Sequence, residues 1–484
     1  MPTTSLRARL DVAPWWSWVV LGTVGSVGLA LAASDVGAVP RPATYRWWFH
    51  VPLGGYGGAH VVLYAAMAVL ALAWLALGVL ARRGGLSRSR TVVAFISWAA
   101  PLFAGAPLFS RDIYSYVAQG KLAAAGLNPY AVAPASLSHD ALYHSLAVVW
   151  RHTPSPYGPL FVVVTNAGAH IAGTSLIGLI LVFRMLELVG LALGAWALTS
   201  IASRLGANEG VALWLGVLSP LTLLSDVSSA HNDTLMIGLL LAGAALSLRG
   251  ARRGAIAVIA VAAAVKLPAL AGVAVLTVRD LRHVAWRRGA VLIAEALGIT
   301  LFVLLVSTVV NGFGWTWASP HALSIPSELR TLATPSVSVG AFIAATPRVA
   351  GAHTLATHTV VTVVQYLFDA TTLAVIAIAL LKVRARNTLR VLGTILLAVV
   401  LGGPTLWPWY LLWGLSVLAA TSAQTSRALA ITAMGATLLV GPGGSPMLGG
   451  NAYLISAPLV AGAIYWLVRR HRWREILEGA DRVR

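Results

Sequence analysis

A chain of 484 residues that is 58% hydrophobic and only 10% charged, with mean hydropathy +0.81, is not a soluble globular protein. Such proteins carry about a quarter of their residues as charges. The net charge of +19 gathers in short connections around Arg82/Arg83, Arg88/Arg90, Arg249/Arg252/Arg253, 279–288, 382–390 and 469–484. That is the pattern of cytoplasmic loops facing anionic headgroups, not of a nucleic-acid binder. Cysteine is absent, which excludes a disulfide framework and thiolate metal sites.

The pattern predicts an all-α polytopic membrane protein in one domain, 1–484, with about 12–14 transmembrane helices and both termini cytoplasmic. Arg7 and Arg9 precede an apolar run at 15–33 with no cleavage site behind it, so it reads as a retained first span. Residues 35–57 then lie outside, 58–81 returns, and 91–109 exits again. Segment 110–159 becomes a long first outer loop. The stretch 160–203 is too long for one span and breaks at Gly173-Thr-Ser175, which suggests a short or re-entrant helix followed by a full one. Residues 210–225 rise to an outer turn at His231-Asn-Asp233, and 234–248 descend. Lys266-Leu-Pro268 divides 255–278 into a hairpin of short helices. After 290–310 comes a second outer loop, 311–355. Alternating spans follow at 358–381, 391–401, 409–420, 428–440 and 453–468, then the basic tail 469–484. Trp15, Trp16, Trp18, Trp47 and Trp48 read as interfacial anchors.

The 15 acids are few enough to sort one by one. Asp35, Asp112, Asp140, Asp226, Asp233 and Glu328 fall near the outer face, and Glu187, Glu295 and Asp369 fall within spans. Asp112 has the richest surroundings, in Ser110-Arg-Asp-Ile-Tyr-Ser-Tyr116 followed by Gly126-Leu-Asn-Pro-Tyr130. Arg111, Tyr114 and Tyr116 accompany it on a helix suited to the membrane surface. The carboxylate could serve as a general base toward a sugar hydroxyl; the plainer reading is a helix cap beside an exposed ion pair. His231, Asn232 and Asp233 form a polar turn that either faces a cavity or simply caps the next helix. Lys266 could meet a phosphate or snorkel to headgroups. Arg330 is a rival phosphate clamp. Arg184 and Glu187 read as an intramembrane ion pair at helical spacing. Trp315, Trp317, Trp407, Trp409 and Tyr410 cluster in outer turns, as sugar-stacking rings or as anchors. No Asp-x-Asp pair is present, and one His-Asn-Asp cluster offers too few ligands for a metal.

The order Ser-Arg-Asp-Ile-Tyr-Ser-Tyr, Gly-Leu-Asn-Pro-Tyr, Tyr157-Gly-Pro159, His231-Asn-Asp233, Lys-x-Pro and Trp407-Pro-Trp-Tyr410 resembles the glycosyltransferase C superfamily. Within it, the chain is similar to actinobacterial polyprenol-phosphate-mannose-dependent alpha-1,6-mannosyltransferases of lipomannan synthesis. The resemblance implies a glycosyltransferase C-like bundle in the plasma membrane, its active site facing the cell exterior. The implied donor is polyprenyl-phosphate mannose, and the acceptor is a mannosylated phosphatidylinositol or related glycolipid. No cofactor and no metal are implied. Asp112 takes the place of the first-loop acid that deprotonates the acceptor 6-hydroxyl. Lys266 and Arg330 would then face the leaving phosphate, and His231, Asn232 and Asp233 would bind sugar hydroxyls or the phosphate. Arabinose or glucose transfer from a lipid phosphate is the nearest alternative, and a transporter or flippase is a further one.

Overall fold

The computed structural model describes residues 13–442 with the exception of 41–46, 49, 174, 330, 332–333, 350–356, 422–425 and 439–440. Arg330, the expected span 453–468 and the tail 469–484 lie outside the described residues. Among the described residues there are helices and turns but no strand. In chain order the helices are α1 (Trp15–Val36), α2 (Gly55–Arg82), α3 (Arg88–Ala104), α4 (Asp112–Ala124), α5 (Pro159–Ala172) and α6 (Leu176–Leu205). Next come α7 (Glu209–Gly216), α8 (Asp233–Leu248), α9 (Arg252–Val265), α10 (Leu270–Leu281) and α11 (Trp286–Asn311). The last are α12 (Pro320–Glu328), α13 (Pro335–Val349), α14 (Thr357–Leu381), α15 (Thr388–Gly402), α16 (Leu412–Ala419) and α17 (Ser426–Leu438). The main hydrophobic core runs from Val19 in α1 to Ala436 in α17, beside a second small cluster that holds Tyr130 and Trp317.

Six of the described helices are long and apolar enough to cross a membrane, and a seventh span results if α7 and the bent segment Pro220–Ser228 count as one. This is a multi-pass membrane protein. The expected double element at 160–203 is α5 plus α6, and the expected hairpin at 255–278 is α9 plus α10, broken at Lys266 and Pro268. Lys266 is extended (φ −153°, ψ 123°), and Pro268 opens the next turn without an N–H to continue the α9 ladder. The segment 311–355, expected as a loop, holds α12 and α13. Trp16 and Trp48 are exposed as anchors should be, but Trp47 is buried, with its indole N–H donating to Ala104 O at 2.9 Å.

The crossing of α6 and α8 sets the positions of the most polar residues. A Cβ at Gly238 would lie 2.1 Å from Gly190 O, and one at Gly190 would lie 2.7 Å from Leu235 Cα. Small residues let two membrane helices approach this closely. Arg184 and Glu187 on α6 do not pair with one another as the spacing suggested. Arg184 donates to Phe103 O (2.5 Å) and Gly105 O (2.6 Å) at the end of α3, and to Ser228 O. Glu187 Oε2 accepts from Leu235 N–H (2.9 Å) in the first turn of α8. Each side chain thus meets a helix end whose unpaired groups suit it, a donor at carbonyls and an acceptor at an amide. Gly238→Ala should force α6 and α8 apart, costing about 1–3 kcal/mol as overpacking does. We expect less folded protein in detergent gel filtration. Gly298→Ala on α11, where nothing lies within 4 Å of the added carbon, should leave the profile unchanged. Equal profiles would refute the tight crossing.

At the far ends of α8 and α9 sits a salt-bridged basic cluster. Arg252 meets Asp280 at 2.8 Å and also Glu295, and Arg253 reaches Glu295 as well. These arginines therefore face acids of the same fold. The 14 residues of α9 separate Arg252 from Lys266 by about 20 Å at 1.5 Å per residue.

Candidate active site

Asp112 opens α4, and the residues around it explain why it stays put. Arg111 Nη1 donates to Val39 O and to Ser145 O, both at 3.1 Å, and the Tyr114 hydroxyl donates to Ala38 O. These two side chains tie α4 to the backbone at 38–39 and 145. The exposed Arg111–Asp112 ion pair is not what forms. Asp112 is instead buried, and its Oδ1 accepts a hydrogen bond from Trp150 Nε1 at 2.7 Å. Its Oδ2 lies 3.6 Å from His231 Nε2.

His231 reaches that position through irregular backbone. Residues Leu223–Ser228 form a π-helical turn, a geometry common at functional sites. Ala230 has φ +53°, a left-handed conformation that costs a non-glycine residue about 1–2 kcal/mol. The chain then doubles back, so that His231 Nδ1 bonds Ser225 O at 2.8 Å. The imidazole stacks on Trp409 (centroids 3.9 Å apart, planes 20° apart), and Trp409 stacks on Trp407 (5.2 Å, 8°). Asn232 is fully buried with both side-chain polar atoms unpartnered, and its backbone N–H reaches the Tyr116 hydroxyl at 3.5 Å.

Asp233, the first residue of α8, points at the break after α9. Its Oδ1 accepts from Lys266 Nζ at 2.8 Å and from Trp413 Nε1 at 2.5 Å. Lys266 does not snorkel. Its ammonium lies 4.3 Å from the Tyr410 ring centroid, 5.3 Å from Trp413 and 5.7 Å from Tyr157, an aromatic cage around a cation. Tyr157 is held there because Gly158 N–H donates to Val265 O at 3.0 Å, an approach closed to any residue with a Cβ, which would sit 2.2 Å from Ala264 O.

The structure therefore brings together Asp112, Tyr116, His231, Asn232, Asp233, Lys266, Trp409 and Tyr410, with Trp407 behind Trp409. Arg111 and Tyr114 have backbone partners instead. Trp317 is buried and donates to Thr308 Oγ1 at 2.9 Å, whereas Trp315 is half exposed. Asp226, expected near the outer face, is buried along a small cavity with Thr234 and Ser416. The sequence reading missed Trp150 and Trp413, whose indoles hold the two site carboxylates. Burial holds the Asp112 carboxyl above the usual carboxylate range, and burial pushes the His231 imidazole below its ordinary value. Among the described residues no group of three or more His, Asp or Glu is spaced to hold a metal ion. The cation at this site is the Lys266 ammonium.

A buried carboxylate, an imidazole and a caged ammonium thus lie together inside a polytopic helical membrane protein. Residues 19–282 match the family model for the N-terminal domain of alpha-(1->6)-mannopyranosyltransferases, and 334–470 match the MptB C-terminal domain model. The chain is 34% identical to alpha-(1->6)-mannopyranosyltransferase A of Mycobacterium tuberculosis, over 85% of this chain and 81% of that protein. It is 31% identical to a probable alpha-(1->6)-mannopyranosyltransferase of Mycolicibacterium smegmatis, over 94% and 89% of the two chains. It is 29% identical to alpha-(1->6)-mannopyranosyltransferase B of Corynebacterium glutamicum, over 84% and 73%. No solved structure matches it. The chain belongs to the alpha-(1->6)-mannopyranosyltransferase family, and it is a glycosyltransferase.

Proposed function

We propose that the chain transfers mannose from polyprenyl-phosphate mannose to the 6-hydroxyl of an alpha-1,6-mannan acceptor, at the outer face of the plasma membrane. The observation that carries this reading is Asp112. It is a buried carboxylate with one oxygen fixed by Trp150 and the other left for a substrate proton. In the proposed step Asp112 accepts the acceptor's hydroxyl proton. The oxygen attacks the anomeric carbon, and the lipid phosphate leaves with the electron pair of the broken bond. Inversion turns the donor's beta linkage into an alpha product.

The leaving phosphate gains negative charge, which a preorganised cation stabilises more in the transition state than in the ground state. Lys266 fills that role, and the aromatic rings around it suit both its ammonium and a sugar face. Asn232 offers an unused amide donor and acceptor to the sugar hydroxyls. The acceptor is a mannosylated phosphatidylinositol or a related glycolipid, and no cofactor enters the scheme. Orientation follows from charge. The site lies about 20 Å along α9 from the Arg252 cluster, and basic ends of spans stay on the cytoplasmic side. With both termini cytoplasmic, the site faces the exterior.

The test is a membrane assay with radiolabelled polyprenyl-phosphate mannose and a short alpha-1,6-mannoside. Label should enter the mannoside in an alpha-1,6 linkage. Transfer from the arabinose or glucose donor and none from the mannose donor would sink the sugar assignment.

A further inference from the structure

We propose that Asp112 and His231 act as one base, the carboxylate taking the acceptor's proton and His231 Nε2 storing it. The inference rests on the reading of Asp112 as the base and adds a second catalytic step to it. Ser225 O accepts from the His231 backbone N–H (3.3 Å) and from Nδ1 (2.8 Å). A carbonyl only accepts, so Nδ1 carries the hydrogen and the neutral ring presents a bare lone pair at Nε2. That nitrogen is buried, without a hydrogen-bond partner, and 3.6 Å from Asp112 Oδ2. Oδ2 is also the oxygen that Trp150 leaves free. The substrate's proton therefore arrives on the oxygen that faces the imidazole.

Burial opposes a charged ring, and some of the groups that face it offset part of that cost. His231 faces Asp112 from α4, Asp233 from its own turn and Lys266 from the break after α9, with the Trp409 face stacked against it. Two of these are carboxylates, and a cation over an indole face is favourable. Burial raises the proton affinity of the carboxyl and lowers that of the imidazole. The balance is complete. The acceptor O–H bond breaks, its oxygen bonds the anomeric carbon, the bond to phosphate opens, and the proton passes from Oδ2 to Nε2. It returns to water through Asp112 when the product leaves.

His231→Asn isolates the role, because its amide N–H can keep the bond to Ser225 O while Nε2 is gone. In full-length enzyme in native membranes, assayed with polyprenyl-phosphate mannose and the short mannoside, kcat should fall about 100-fold. Both KM values should stay within about threefold, and the acid limb of the pH profile should move to higher pH as Asp112 loses its partner. His231→Gln places an amide where Nε2 was and should lose as much. Trp409→Leu keeps both members of the pair and should lower kcat about tenfold, which covers the case of a poorly folded His231 variant. Wild-type kcat and pH profile in His231→Asn, or unchanged kcat in Trp409→Leu, would overturn the proposal. A raised KM at unchanged kcat would make His231 a sugar ligand instead. A fully active Asp112→Asn would overturn the parent reading and is a separate result.

Discussion

Asp112→Asn should abolish transfer while the protein folds and still binds its lipid donor. The asparagine Oδ1 can accept the Trp150 indole N–H as the carboxylate does at 2.7 Å, so the local structure survives. What disappears is the carboxylate proposed to take the hydroxyl proton. General-base help contributes about 10²–10⁴-fold, and the loss should fall in that range or beyond it. Because the proposed base acts on the acceptor, donor affinity should be unchanged in a binding assay with labelled polyprenyl-phosphate mannose. The pH dependence follows from the same side chain. Burial raises the Asp112 carboxyl above its ordinary value, and the group works only when ionised. Wild-type transfer should therefore be full above that raised pKa and fall as pH drops through it, while any residual activity of the variant should be flat over that range. Loss of donor binding in Asp112→Asn would move the residue from the acceptor side to the donor side.

Lys266→Met carries the second large effect, and it has two parts that a double variant separates. Lys266 and Asp233 form a buried pair at 2.8 Å, with Asp233 fully enclosed. Removing one partner of such a pair leaves an uncompensated charge and costs about 3–5 kcal/mol. Lys266→Met alone should thus accumulate poorly and lose its sharp gel-filtration peak. Lys266→Met with Asp233→Asn removes both charges, and Asn can still accept from Trp413. Folding should recover in that double variant while transfer does not, since the cation proposed for the leaving phosphate is gone. Restored transfer in the double variant would make the pair purely structural and would remove Lys266 from the phosphate.

How much of this was legible beforehand divides along a physical line. Apolar run lengths and proline breaks showed the α5–α6 and α9–α10 elements, because those depend on local chain chemistry. The polar cluster was legible in part. Asp112, His231, Asp233 and Lys266 stood out as polar residues in a chain that has few, and the fold brings them together. What the sequence hid is partnership at long range. Trp413 lies 180 positions from Asp233, and Trp150 lies 38 from Asp112. Nothing in an indole's neighbours says which carboxylate it will hold. Arg184 and Glu187 misled for the opposite reason. Their spacing does put them on one helix face, but backbone groups on other helices outcompete a pair that would have to be desolvated together.

That last arrangement has a consequence for how the chain is made. Glu187 finds its amide 48 residues later, on a helix that has not yet left the ribosome when α6 enters the membrane. At about 5–20 residues per second the interval lasts about two to ten seconds. A carboxyl in a span is costly for all of that time. Arg184, one turn earlier, already has α3 carbonyls available, yet its Ser228 acceptor is also still to come. During biogenesis the two neighbours on α6 are thus each other's nearest countercharge. The finished fold gives each of them a backbone partner on another helix instead.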